Sequence, residues 1–151
     1  EFVAAVAVVV SLIYLAVQIR QNTSSVRMAS HHSISTGFHD LSKVGTSDPA
    51  LAELWLKGRR DLNSLSEVER FRFETTASWL FRMYEELFTY HERGKIDSAF
   101  WAARSGNMLS YMSLPGVRQW WDTVQLTFPR TGAEQFTEEF REYVEARLKR
   151  E

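Results

Sequence analysis

The sequence predicts an all-α protein, in which a single transmembrane helix precedes a compact helical domain of about five to six helices. An uncharged apolar run extends from Phe2 to Ile19. The remainder carries apolar residues at helical spacing, divided by residues that commonly begin or end helices. Strand patterns are nearly absent. These three observations define the fold class.

The apolar run has the length of a membrane helix. About 18 residues at 1.5 Å each reach ~27 Å, close to the ~30 Å hydrocarbon core of a bilayer, and residues ahead of Glu1 are expected to complete the span. A buried core helix and the apolar part of a signal peptide are the alternatives. A signal peptide has a basic start and a small-residue cleavage site, which this run lacks. Residues 1–20 are therefore assigned to a transmembrane helix.

The flanks of the run predict its orientation. Arg20 and Arg27 follow it, and no acidic residue lies between Glu1 and Asp40. Basic flanks stay in the cytoplasm, so the bulk of the chain is expected there. Tyr14 is expected to seat the helix at a membrane interface. The absence of cysteine agrees with a compartment that does not favour disulfides.

Ala7 and Ser11 form a small-xxx-small pair within the span. Such pairs allow a second helix to approach closely, although valine- and alanine-rich spans contain them by chance. The favoured interpretation is therefore that both side chains face lipid and have no specific contact. If a second helix does pack here, Ala7 and Ser11 are the candidate contact residues.

Residues 21–46 predict a juxtamembrane helix. Their apolar residues recur at roughly helical spacing, at Val26, Ile34, Phe38, Leu41 and Val44. The membrane helix is expected to continue through them as one rod. Its weakest point is expected at residues 21–25, because Asn, Thr and Ser are poor helix formers.

Residues 47–151 predict one helical bundle domain, with 10 Phe, 5 Trp and 5 Tyr in the chain to fill a core. Asp48 and Pro49 signal the start of a short helix that Gly58 ends. Ser64 and Glu67 match a capping box, which predicts the start of a long helix.

This long helix is expected to reach Gly94 and to form the spine of the core. Its apolar residues, among them Val68 and Phe71, are spread over a wide arc. A helix with such an arc is expected to be contacted on more than one side.

Three further helices are expected. Asp97 caps the first, and Pro115 opens the second, which is expected to end at Pro129. The last should extend from about Ala133 to Lys149, with acidic residues first and basic residues last, as the helix dipole favours.

The charges disfavour nucleic acid as a partner. The chain has 18 basic and 19 acidic residues, and the two signs are interleaved along it. Interleaving is typical of solvated helix surfaces rather than of a phosphate groove.

No recognisable catalytic or metal constellation is found, so no cofactor is expected. The four histidines are His31, His32, His39 and His91. A metal site needs three or four converging ligands, and neither cysteine nor a Glu-x-x-His pair is present, so surface or boundary histidines are favoured. Glu85 and Glu86 point about 100° apart on a helix, and ion pairs with Arg82 explain them better than acid–base catalysis.

Trp120 and Trp121 are the candidate interaction residues. Neighbouring indoles diverge on a helix, so one can enter the core while the other stays near the surface, available to lipid or to a protein partner. The favoured alternative places both at the edge of the core, because large aromatic residues are commonly only partly buried.

Five segments occur in a characteristic order along the chain: LAVQIRQNT (15–23), DPALAELW (48–55), FRMYE (81–85), GKID (94–97) and PGVRQWW (115–121). Through them, nearly the whole chain resembles a family of uncharacterised bacterial proteins with one N-terminal transmembrane helix and a helical domain. This resemblance implies the same architecture and a bacterial inner membrane, and it supplies no catalytic residues.

These observations favour a non-enzymatic, membrane-anchored interaction domain, either an accessory subunit or a self-associating scaffold. Its expected partners are the lipid bilayer and another protein or a second copy of the chain. The alternative is a small-molecule or lipid sensor with an apolar pocket in the helical domain.

Overall fold

The computed structural model describes residues 2–131 and 135–149, and it confirms the predicted all-α fold. Helix makes up 87% of the structure, and the described part contains no strand. The elements within it are α1 (Phe2–Ser47), α2 (Pro49–Gly58), a 3₁₀ turn (Leu62–Ser64), α3 (Glu67–Glu92), α4 (Ser98–Met112), α5 (Pro115–Thr131) and α6 (Glu138–Leu148).

α1 is one uninterrupted helix of 46 residues, about 69 Å long at the usual rise per residue. The polar stretch at 21–25 does not break it, and the Thr23 hydroxyl there donates to the Ile19 carbonyl at 2.8 Å. The two ends of α1 differ in their surroundings. Every side chain from Val6 to Ala29 is exposed, whereas Ile34 is buried in the domain.

α1 and α3 lie side by side and run in opposite directions. At the end of α1, the Asp48 carboxylate accepts a hydrogen bond from Arg72 of α3 at 3.1 Å. Ten residues earlier in the chain, the Phe38 ring contacts Tyr84, further along α3, with 5.1 Å between ring centroids. We call the exposed part of α1, from Val6 to Ala29, its free half. This half therefore leaves the domain at the end where α3 finishes.

The start of α3 differs from the prediction. Its capping box is formed by Ser66 and Glu69, two residues later than the predicted pair of Ser64 and Glu67. The reason is the 3₁₀ turn, which is capped by Asp61 and holds Ser64 through a 2.7 Å bond to the Asp61 carbonyl. The Ser64 side chain therefore bonds within the 3₁₀ turn and does not cap α3.

The Glu69 carboxylate makes the stability of this corner depend on pH. The backbone N–H of Ser66 and the Lys57 ammonium lower the Glu69 pKa from 4.5 to about 2. A lowered pKa in the folded state stabilises the fold above pH 4.5, and this contribution is lost as the pH falls towards 2.

We therefore expect Glu69→Gln to lower the melting temperature at neutral pH. Near pH 2, the melting temperatures of the variant and the parent protein should become similar. Melting curves from pH 7 to pH 2 measure this. If the melting temperatures of the variant and the parent protein differed by the same amount at every pH in that range, the lowered Glu69 pKa would not be the cause. Glu67→Gln is the control, because the exposed Glu67 carboxylate makes no such interaction with the residues that the structure describes.

The other helix boundaries follow the sequence closely. Asp48 and Asp97 cap α2 and α4 as predicted, with side-chain bonds to backbone N–H groups. α5 continues through Pro129 to Thr131, so its predicted end is wrong by two residues, which is within the usual fraying of helix ends. The last helix begins later than predicted. Ala133 itself lies outside the described residues, but residues 135–137 are not helical, and α6 begins at Glu138 because Thr137 occupies its N-cap position.

The core is an aromatic cluster packed around one face of α3. Phe81 contacts Trp120 of α5 at 5.2 Å between ring centroids, and Phe88 contacts Phe140 of α6 at 5.7 Å. α1, α2 and α4 also pack against α3. The largest fully buried side chains include Trp120, Trp121, Tyr84, Phe73, Phe81 and Phe140. α3 is the predicted spine, contacted by several helices.

Candidate functional site

The free half of α1 is the candidate membrane anchor. From Val6 onward the helix contains an 18-residue window with a mean hydropathy of 1.3, none of it buried in the domain. α1 is thus long and apolar enough to cross a membrane. Polar groups on it bond within the helix: Ser11 Oγ donates to the Ala7 carbonyl at 2.8 Å, and Gln18 Nε2 donates to the Tyr14 hydroxyl at 2.8 Å. Such internal bonding is what hydrocarbon requires.

The predicted helix-packing pair, Ala7 and Ser11, lies on the exposed surface of this half. The Ser11 hydroxyl already donates its proton to the Ala7 carbonyl, so it has none to donate to a second helix. Contact through this pair would therefore depend on close packing of small side chains. Their role stays a prediction.

The flanking residues are also exposed. Arg20 and Arg27 lie on the part of α1 between the apolar run and the domain, about 10 Å apart along the helix axis. Neither makes an ion pair within the described part of the chain. Tyr14 is 63% exposed, on the apolar run itself. These positions suit headgroup contact, and the orientation that they predict stays a prediction.

Trp120 and Trp121 lie in the core rather than at an interaction surface. Their side chains are 1% and 0% exposed. Neither the prediction that one indole stays near the surface nor the favoured alternative, that both lie partly buried at the edge of the core, is correct. The reason is that α5 is covered on two sides: Phe81 of α3 contacts both indoles, and Phe136 ahead of α6 contacts both as well. The Trp121 N–H donates to Glu145 at 2.9 Å, which satisfies its one polar atom.

Two of the four histidines, His31 and His91, join helices through their rings, whereas His32 and His39 are exposed. His31 of α1 stacks on Phe100 of α4 with 4.2 Å between centroids, and its Nε2 lies 3.3 Å from the Asp97 carboxylate. The backbone N–H of Phe100 lowers the pKa of Asp97, which favours a charged carboxylate beside the imidazole. His91 stacks on Trp101 with 5.1 Å between centroids. Residues 2–131 and 135–149 contain no group of three or more side chains suited to hold a metal ion.

Glu85 has a structural partner that the sequence does not reveal. Its carboxylate accepts a 2.6 Å hydrogen bond from the backbone N–H of Thr137, the residue that precedes α6. Glu86 accepts a bond from the Tyr90 hydroxyl, which raises the Tyr90 pKa. The expected ion pairs with Arg82 are not formed among the described residues. Glu85 and Glu86 therefore accept hydrogen bonds from different residues.

A surface depression lies between α2 and the 3₁₀ turn. It has a volume of about 480 Å³ and is lined by Glu53, Leu56, Lys57, Arg60, Asp61 and Ser64. Four of these six residues are charged, and the depression is open to solvent, unlike the enclosed apolar pocket that the sensor hypothesis requires. The sensor hypothesis therefore gains no support from this depression and stays a prediction.

The outer face of α3 carries large exposed apolar side chains that the sequence analysis missed. Val68, Phe71 and Trp79 are 71%, 69% and 64% exposed. Val68 and Phe71 were expected in the core as part of the wide apolar arc, and this expectation is wrong. Their spacing of three and eight residues, with Thr75 between, places them on one stripe of the helix opposite Ala77 and Phe81. We name Val68, Phe71, Thr75 and Trp79 the α3 outer stripe.

No protein-family model, curated protein or solved structure matches this chain. The resemblance drawn from the sequence segments therefore stays a prediction. A functional assignment rests on the anchor, the junction of α1 with the domain, and the α3 outer stripe.

Proposed function

We propose that the chain is a non-enzymatic, membrane-anchored interaction domain that acts as an accessory subunit or a self-associating scaffold in a membrane complex. The single observation that carries the proposal is the division of α1. Its apolar half packs on nothing in the described part of the chain, while its other half is built into the core through Ile34 and Phe38. Anchor and domain are thereby joined without a flexible linker.

The expected location is the bacterial inner membrane, with the domain in the cytoplasm. Arg20 and Arg27 support this sidedness through the bias of basic residues towards the cytoplasmic face. Confinement to a membrane raises the local concentration of any membrane partner without new contacts. A single helix offers no transport pathway, so holding partners together is the role that this architecture suits.

Arginine substitutions within the apolar half test the anchor. Each arginine at the centre of a span disfavours insertion by about 2.5–3.5 kcal/mol, so Val9→Arg combined with Leu12→Arg should move the protein from the membrane to the soluble fraction. Carbonate-washed membranes from expressing bacteria provide the measurement. Thr36→Arg, at an exposed position of the same helix beyond the span, is the matched control and should stay in the membrane.

The parent chain has no cysteine, which allows its sidedness to be measured cleanly. Glu53→Cys places a single thiol at an exposed position of α2. A membrane-impermeant maleimide should label it in inside-out vesicles and not in intact spheroplasts. Labelling in intact spheroplasts would reverse the proposed orientation. Recovery of the parent chain in the soluble fraction would remove the proposed function itself.

A further inference from the structure

The α3 outer stripe is apolar along its whole length. Phe71 and Trp79 project from it with more than 60% of their surface exposed, and Val68 lies one turn before Phe71. Thr75 adds a methyl group, because its hydroxyl donates to the Phe71 carbonyl at 2.8 Å within the helix. Isolated surface apolar residues are common, but an aligned set with two large aromatic residues marks a contact surface.

The anchor determines how two copies can meet at this stripe. α3 runs antiparallel to α1, so copies inserted from the same side of a membrane hold their α3 helices in the same direction. Two stripes can then face each other around a two-fold axis along the membrane normal. Each residue of the stripe meets its own counterpart: Thr75 lies against Thr75 of the second copy, with Phe71 and Trp79 on either side.

Charges beside the stripe complement this parallel arrangement. Arg82 and Glu86 continue the same face of α3 beyond Trp79, and both are exposed. Their spacing of four residues permits an ion pair within the helix, yet neither makes a salt bridge within the described part of the chain. In the parallel pair, Arg82 of each copy lies one turn from Glu86 of the other, so two symmetric ion pairs can form.

The size of the stripe suits a contact between confined molecules. Aromatic side chains contribute roughly 150–250 Å² each, so at the exposures of Phe71 and Trp79 the stripe offers on the order of 300–400 Å² per copy. A stable interface buries about 800 Å² per partner. The stripe is thus about half of that size. The higher effective concentration of copies in a membrane compensates for the weaker binding of a small interface.

We propose that the α3 outer stripe is the self-association surface of this chain and that it pairs with the same stripe of a second copy in parallel. This proposal rests on the proposed membrane anchoring and deepens it by naming the partner and the face. α1 meets α3 where Gly37 faces Met83, about a quarter turn from the stripe. The two anchors therefore stand apart, roughly 20 Å from each other at ordinary helix packing distances.

Single-cysteine variants of the full chain test the pairing in native membranes under a mild oxidant. Thr75→Cys and Val68→Cys should each form disulfide-linked dimers, because parallel pairing brings each position against itself. Ser24→Cys on the free half of α1 and Glu53→Cys on α2 are exposed controls with the same anchor. We expect at least roughly tenfold more dimer from the two stripe positions, given the effective concentration at a paired surface.

A second substitution and a dilution complete the test. Adding Trp79→Ala to Thr75→Cys should abolish most of the cross-link, and dissolving the membranes in excess detergent before oxidation should do the same. Equal dimer from Thr75→Cys and the controls would overturn the pairing, as would dimer from Thr75→Cys without dimer from Val68→Cys, which indicates antiparallel contact. A disulfide to a different protein would also overturn it.

Failure of the pairing and failure of the anchor give different results. If the chain is found in carbonate-washed membranes but the stripe positions do not cross-link, only the self-association surface is wrong. If the chain is found in the soluble fraction, the membrane anchoring on which the pairing rests is wrong.

Discussion

Trp121→Ala is expected to lower the free energy of unfolding by about 3–5 kcal/mol, the range for truncating a fully buried Trp. The indole is 0% exposed and contacts Phe81 and Phe136 at 5.5 and 5.2 Å between ring centroids. Its removal leaves a cavity between α3 and α5. It also leaves the Glu145 carboxylate without the indole N–H that now lies 2.9 Å away.

Urea unfolding of the full chain in detergent, followed by far-UV circular dichroism, measures this loss independently of indole fluorescence. Trp79→Ala is the matched control: the same change at a side chain that is 64% exposed should alter the free energy of unfolding by about 0.5 kcal/mol or less. Comparable losses at both positions would contradict the burial of Trp121.

Trp121→Phe separates the ring from its hydrogen bond. A phenyl ring retains most of the aromatic contacts but cannot donate to Glu145. The loss should therefore be smaller, about 1.5–3 kcal/mol, as for a hydrogen bond to a charged group. Arg118, whose guanidinium lies 3.6 Å from the same carboxylate, still offers Glu145 a partner.

The features that the sequence predicts correctly are local. Asp48 before Pro49, and Asp97 one turn before Trp101, cap helices through bonds that span three residues or fewer. The continuous α1 likewise depends on neighbours along one helix. Where two local signals competed, the prediction failed: Ser64 and Ser66 can each cap a helix, and the 3₁₀ turn stabilised by Asp61 decides between them.

The features that the sequence does not predict depend on distant parts of the chain. The burial of Trp120 and Trp121 requires Phe136, which reaches them from the segment ahead of α6. Glu85 finds its partner at Thr137, 52 residues away. The spacing of Val68 and Phe71 fits a helix, but only the packing of the other helices shows which face they occupy. An apolar pattern predicts amphipathicity without saying which apolar face is covered.

The contact between the end of α2 and the start of α5 is another long-range feature, and it leads to the second large expected effect. Gly116 of α5 lies so close to α2 that a Cβ atom added to it would fall 1.8 Å from the Gly58 carbonyl oxygen. The Gly116 N–H donates to the Arg59 carbonyl at 2.9 Å, so the two helices meet backbone to backbone. A flexible side chain can move aside, but a helix backbone cannot do so without shifting its helix.

Gly116→Ala should therefore lower the free energy of unfolding by about 3 kcal/mol, the upper end of the usual range for overpacking. Gly106→Ala is the matched control. It lies at an exposed position inside α4, where an added Cβ meets nothing within 4 Å. Because alanine favours a helix interior more than glycine, this change should stabilise the protein by about 0.5–1 kcal/mol.

The opposite signs of the two glycine substitutions make the comparison decisive. Both add one methyl group to a helix, so a difference between them reports the surroundings rather than helix propensity. Urea unfolding in detergent supplies both values under one condition. If Gly116→Ala stabilised the protein as Gly106→Ala does, then the start of α5 could not contact the backbone at the end of α2. The corner that holds α5, and with it Trp121, against α3 would then need a different packing.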